Sequence, residues 1–69
     1  MITLTFNSTT KTVTIIQDGK KDFIEYQEVP TVKVREGFYE VMQKLTASTE
    51  TQIPVCRVPI SQTIMFIKK

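Results

Sequence analysis

The chain has 69 residues, 41% of them hydrophobic and 23% charged. That composition excludes the disordered class and allows one domain, residues 1–69, around one thin core. Nine Lys plus Arg against seven Asp plus Glu leave a net charge of +2, which neither demands nor excludes nucleic acid as a partner.

The N-terminal third reads as strands. In Ile2-Thr3-Leu4-Thr5-Phe6 apolar residues alternate with threonine, the pattern of a half-buried strand. Asn7 to Thr10 is a polar turn, and Thr12 to Gln17 resumes the β-branched character. Asp18-Gly19 is the strongest short hairpin signal in the chain. A return strand follows from Lys21 to Val29, with Ile24 and Tyr26 on one face and Phe23 on the other.

The middle changes period. Phe38, Val41, Met42 and Leu45 stand at i, i+3, i+4 and i+7, one face of a helix. The spacing predicts a helix over Glu36 to Ala47, with Glu40 and Lys44 as a favourable i,i+4 pair. Thr31 to Arg35 alternates like a strand, although Val34 also extends the helical stripe. Gly37 is costly inside a helix, which favours a start near it. Ser48 to Thr51 is a loop.

The C-terminal third returns to β. Ile53 to Val58 and Thr63 to Ile67 are apolar runs separated by Pro59-Ile60-Ser61-Gln62. Pro54 and Pro59 cannot donate ladder hydrogen bonds, so the first run is an edge strand or an irregular one. Ile64-Met65-Phe66-Ile67 is apolar on both faces and needs cover on both. The expected fold is therefore α+β: one small antiparallel sheet of three to five strands, in β-β-α-β order, with one helix packed on one face.

Catalysis is poorly supplied, and the expectation is a protein that is not an enzyme. Histidine is absent, which removes the commonest general base and metal ligand. Cys56 has no histidine to pair with, and Ser8, Ser48 and Ser61 sit in polar loops. Asp18, Asp22, Glu25 and Glu28 read as solvated hairpin charges rather than a metal site. Gly19 and Gly37 make no phosphate loop. No catalytic residue, cofactor or metal is expected.

Partners remain. The excess apolar surface of Ile64 to Ile67 predicts a homodimer and a protein-binding patch. Tyr26, Tyr39, Val58, Ile60 and Met65 are the expected partner-binding residues. Lys20, Lys21, Lys33 and Arg35, interleaved with Phe23, Tyr26, Phe38 and Tyr39, are the contacts expected if the partner is instead single-stranded nucleic acid. No membrane is expected: no apolar run approaches the roughly 18 residues of a span. The first residues lack a signal-peptide pattern and the lone cysteine cannot form an internal disulfide. The expected location is thus the cytoplasm, with Asn7-Ser8-Thr9 a turn rather than a glycosylation site.

Val13-Thr14, Gln17-Asp18-Gly19, Lys21, Phe23 and Glu25-Tyr26-Gln27 resemble the first hairpin of the small phage-encoded inhibitors of uracil-DNA glycosylase, and Phe38, Glu40 and Val41 resemble their following helix. The likeness covers about a quarter of the chain. It implies a compact β-β-α-β protein that dimerises and blocks a host repair enzyme through a hydrophobic pocket. This chain departs from that family in being basic where the family is acidic. Gly19-Lys20 with Phe23, and Gly37-Phe38-Tyr39-Glu40-Val41, also resemble the small single-stranded-DNA-binding proteins of filamentous phages, an all-β family from which the helical period through 38–45 points away. The functional expectation is a phage or mobile-element protein that binds and inhibits a host protein, a DNA repair or defence enzyme. The alternative is a single-stranded nucleic-acid-binding protein.

Overall fold

Leu4, Phe6, Val13 and Ile15 point to one side of a first sheet, and Val41 and Val58 point to it from a second. Together with Val29 they form the core. The computed structural model describes residues 1–46, 48 and 50–69. Its strands are β1 (Ile2–Asn7), β2 (Thr12–Gln17), β3 (Phe23–Tyr26), β4 (Thr31–Arg35), β5 (Phe38–Lys44), β6 (Gln52–Pro59) and β7 (Thr63–Lys68). A single 3₁₀ turn, Ile60–Gln62, joins β6 to β7.

The first sheet has the order β3-β2-β1-β7, and the second the order β4-β5-β6. In the first, β1–β2 and β2–β3 are antiparallel, and β1 pairs with β7 in parallel, Leu4 beside Met65. The second is an antiparallel meander. Where the sequence predicts one antiparallel sheet with a helix on it, the chain folds into two sheets over one core, one of them mixed.

The α+β expectation fails at one segment. The residues predicted to form a helix, Glu36 to Ala47, form instead a tight turn and β5; Ala47 itself lies outside the described residues, as does Thr49 of the predicted loop. Arg35 pairs with Phe38, so Glu36 and Gly37 are a two-residue hairpin loop. Both have positive φ, 51° and 82°, the combination that a type I′ turn needs and that glycine supplies without steric cost. The helical spacing has its own explanation. Strand β5 lies between β4 and β6 and has buried residues on both sides: Val41 faces the core, while Glu40 and Met42 lie buried on the opposite face, low between the flanking strands. A strand buried on both faces does not alternate, and here its apolar residues fall by coincidence at helical intervals. The β-β-α-β order implied by the inhibitor resemblance is not found in this chain either.

Two corners bind the sheets together. Residues 27–30 cross from β3 to β4 with Val29 fully buried. The Val29 N–H donates to Lys11 O at 2.9 Å, and the Lys44 N–H donates to Glu28 O at 2.9 Å. At the other end the Ile60 N–H donates to Gly37 O at 3.0 Å, which ties the 3₁₀ turn to the β4–β5 loop. Strand β6 lies at a sheet edge, and its pairing with β5 shifts register between Val41 and Met42, with Val55 the extra residue.

Candidate interaction surfaces

The register of the first sheet decides what its outer face carries. Residues that pair across strands share a face. Phe23 pairs with Ile16, Ile16 with Thr3, and Thr3 with Ile64. The next row is Glu25, Thr14, Thr5 and Phe66. The outer face is therefore threonine at its centre, flanked by Phe23 (61% exposed), Phe66 (54%), Ile16 (46%) and Ile64 (45%). Isolated exposed apolar residues are ordinary, but four of them from three strands on one face are not.

The outer face of the second sheet is different in kind. Lys33, Glu40 and Arg57 form one cross-strand row, and Arg35, Phe38 and Pro59 the next. These rows border an open cleft of about 670 Å³. Glu40 lies in its floor, 4% exposed, and accepts a 2.9 Å hydrogen bond from Arg57 Nε. The Arg57 guanidinium carbon stands 5.7 Å from the centroid of the Phe38 ring, a cation–π contact. Among the described residues no carboxylate pairs with Lys33 or Arg35, so the cleft carries an excess of positive charge.

The residues expected from sequence divide among several places. Lys33 and Arg35 come together on this cleft, with Arg57 of β6. Lys20 and Lys21 do not join them: they line a separate hollow of about 350 Å³ beside Ile15 and Ile24 of the first sheet. Val58 is a core residue, 5% exposed, and Tyr26, Tyr39 and Met65 pack half-buried against that core. Ile60 is half-buried in the 3₁₀ turn. The exposed apolar residues of the first sheet's outer face are instead Phe23, Ile16, Ile64 and Phe66. Their signal was the same strand alternation, read on its other face.

Cys56 is a free thiol on the inner side of β6. Burial pushes its pKa up, and the hydrogen bond with the Tyr26 side chain offsets part of that rise. Burial likewise pushes the Tyr26 hydroxyl up. Such a thiol stays protonated at neutral pH and is a poor nucleophile. Among the described residues no group of three His, Cys, Asp or Glu side chains converges as a metal site. No helix among them is long and apolar enough to cross a membrane.

Compared with known proteins, the chain matches no family model, no curated protein and no solved structure.

Proposed function

We propose that this chain is a non-enzymatic binding protein that docks a partner protein on the outer face of its first sheet. The observation that carries this reading is the row Phe23–Ile16–Thr3–Ile64 with Phe66 beside it. With about half of each apolar side chain exposed, roughly 1 kcal/mol of burial remains available at each, and a partner surface recovers it. The matching partner is apolar with a polar rim, since threonines lie in register between the larger side chains. In its specific form the reading is an inhibitor of a host repair or defence enzyme, encoded by a phage or mobile element and acting in the host cytoplasm, where the free Cys56 thiol stays reduced.

The test is affinity capture from nuclease-treated host lysate with the natural chain and with Phe23→Ser/Phe66→Ser. Partners retained after nuclease and lost with the double variant support the reading. Partners lost on nuclease treatment alone overturn it.

A second reading is favoured by a specific observation. Lys33, Arg35 and Arg57 border one cleft with the half-exposed Phe38 at its side, an arrangement of backbone charges and a stacking ring that suits single-stranded nucleic acid. The helical period that counted against this reading is absent from the folded chain.

A further inference from the structure

Four strands lie at sheet edges, β3 and β7 in the first sheet and β4 and β6 in the second. An edge offers unpaired N–H and C=O groups to another strand unless something blunts it. Strand β6 is blunted by Pro54, Pro59 and its bulge. Strand β4 carries Lys33 and Arg35, and β3 is four residues long and contains Glu25. Strand β7 has none of these devices from Thr63 to Ile67. Its Ile64 and Phe66 are exposed on the outer face and Ile67 on the inner one.

The Lys68 carbonyl accepts the Ser8 N–H at 2.9 Å, so the peptide groups of Lys68 turn towards β1. By strand alternation those of Phe66 and Ile64 do too, and those of Thr63, Met65 and Ile67 turn towards the open edge. Among the described residues no strand pairs there.

We propose that β7 pairs antiparallel with β7 of a second copy, about a two-fold axis at Met65, to give one continuous sheet through both molecules. In this register Met65 faces its own copy and Thr63 faces Ile67 of the second copy, pairs whose peptide groups already point outwards. Ile64 then stands beside Phe66 of the second copy, and Phe66 beside its Ile64, as close non-hydrogen-bonded pairs of the β-branched–aromatic kind that stabilise sheets. Lys68 of one copy lies about 20 Å from Lys68 of the other at the strand rise of ~3.4 Å per residue, beyond a Debye length at physiological salt. A register centred on Phe66 sets Ile64 against Lys68 instead and loses those pairs. The self-complementary sequence and the separated charges are what select a second copy as the occupant. This pairing does not depend on what the outer face binds, although it joins the two apolar rows into one.

Sedimentation of the full chain at high micromolar concentration should give twice the 7.9 kDa chain mass. Ile67→Pro removes an outward N–H and an exposed side chain while leaving the β1–β7 pairing intact. It should weaken self-association about tenfold or more, roughly the effect of losing 1.4 kcal/mol, with an unchanged circular dichroism spectrum. In a Cys56→Ser background, Ile64→Cys/Phe66→Cys should oxidise to a covalent dimer, because opposed residues of this type lie about 4.5 Å apart at Cα, within disulfide range. The crosslink decides the matter if Ile67→Pro fails to fold. A monomer at every concentration, or a dimer that neither crosslinks nor responds to Ile67→Pro, overturns the proposal.

Discussion

The Glu40 carboxylate, buried in the floor of the cleft, accepts a 2.9 Å hydrogen bond from Arg57 Nε, whose own side chain is half open to solvent. The two halves of this pair are unequal. Removing the arginine strands a buried charge, whereas removing the carboxylate leaves a guanidinium that water can reach. Arg57→Ala should therefore destabilise by about 2 kcal/mol, less than the loss expected for a fully buried pair because of that exposure. Glu40→Gln should cost about half as much. Lys33→Ala on the same cleft should cost nothing measurable. Denaturant titrations of the three variants check the order.

The Glu36-Gly37 turn gives a second prediction. A Cβ at Gly37 would meet no atom within 4 Å, so Gly37→Ala isolates the backbone cost of a positive φ, about 1 kcal/mol. Glu36 also has positive φ, and asparagine tolerates that region better. Glu36→Asn should stabilise by about 0.5 kcal/mol. Thermal melts of both variants, moving in opposite directions, would establish the turn type in solution; a loss of stability on Glu36→Asn would refute it.

These two residues also mark the limit of what could be read from sequence. The hairpin over Thr12 to Tyr26 was legible because Asp18-Gly19 is an unambiguous turn signal and Ile24 and Tyr26 alternate with Phe23 and Glu25. The irregular edge strand at Pro54 and Pro59 was legible because proline lacks a donor. Strand β5 was not, because a strand buried on both faces loses its period of two, and the apolar residues at 38, 41, 42 and 45 are what a helix would also show. Gly37 held the missing clue: preceded by Arg35-Glu36 and followed by Phe38-Tyr39, it closes a hairpin of two alternating segments. Of the site, Lys33 and Arg35 were found as a local cluster. Arg57 joins them only through the β5–β6 pairing, a relation that no single strand reveals. Phe23, Ile16 and Ile64 come from three different strands, and their row exists only once the register is known.

Surface and core apolar residues should respond differently to truncation. Phe23→Ser, at an exposed position away from the β7 edge, should change stability by less than about 0.5 kcal/mol yet reduce partner capture about tenfold or more. Val58→Ala should do the reverse, costing about 1–3 kcal/mol of stability through the cavity it leaves. Melting curves set beside binding titrations separate the two classes, and a large melting shift for Phe23→Ser would show that its ring is not a free surface.

Salt dependence distinguishes the cleft from the hollow by Ile24. If a single strand binds the cleft, log K should fall with log salt by about 0.7 for each phosphate neutralised. Lys33→Ala/Arg35→Ala should flatten that slope, and Lys20→Ala/Lys21→Ala should leave it nearly unchanged. Fluorescence titration of a labelled oligonucleotide at several salt concentrations reads both. A slope that responds only to the Lys20 and Lys21 changes would move the site to the first sheet.

The half-buried Cys56 thiol and Tyr26 hydroxyl make stability depend on pH. Burial raises Cys56 above its ordinary 9.0 and Tyr26 above its ordinary 10.0. A raised value in the folded state means that the unfolded chain ionises first. Stability from these groups is therefore complete below about pH 9 and is lost as pH climbs through the folded values. Melting temperature should be flat from neutral pH to about 8.5 and decline above 9, with a shallower decline in Cys56→Ala. Thiol reagents should modify folded Cys56 slowly at neutral pH and rapidly after denaturation.

The parallel pairing of β1 with β7 sets how the chain reaches its fold. Leu4 and Met65 are neighbours in the sheet and 61 positions apart in the chain. The entropy of closing that loop must be met before the pairing returns anything. The other strand pairings join neighbours in sequence and can form in microseconds, so the β1–β7 pairing is the slow one. During synthesis β1 and β2 emerge long before β7, so a nascent chain presents the open edge of β1 until β7 follows. The first sheet is therefore closed only once β7 has been made, after the strands of the second sheet are already present.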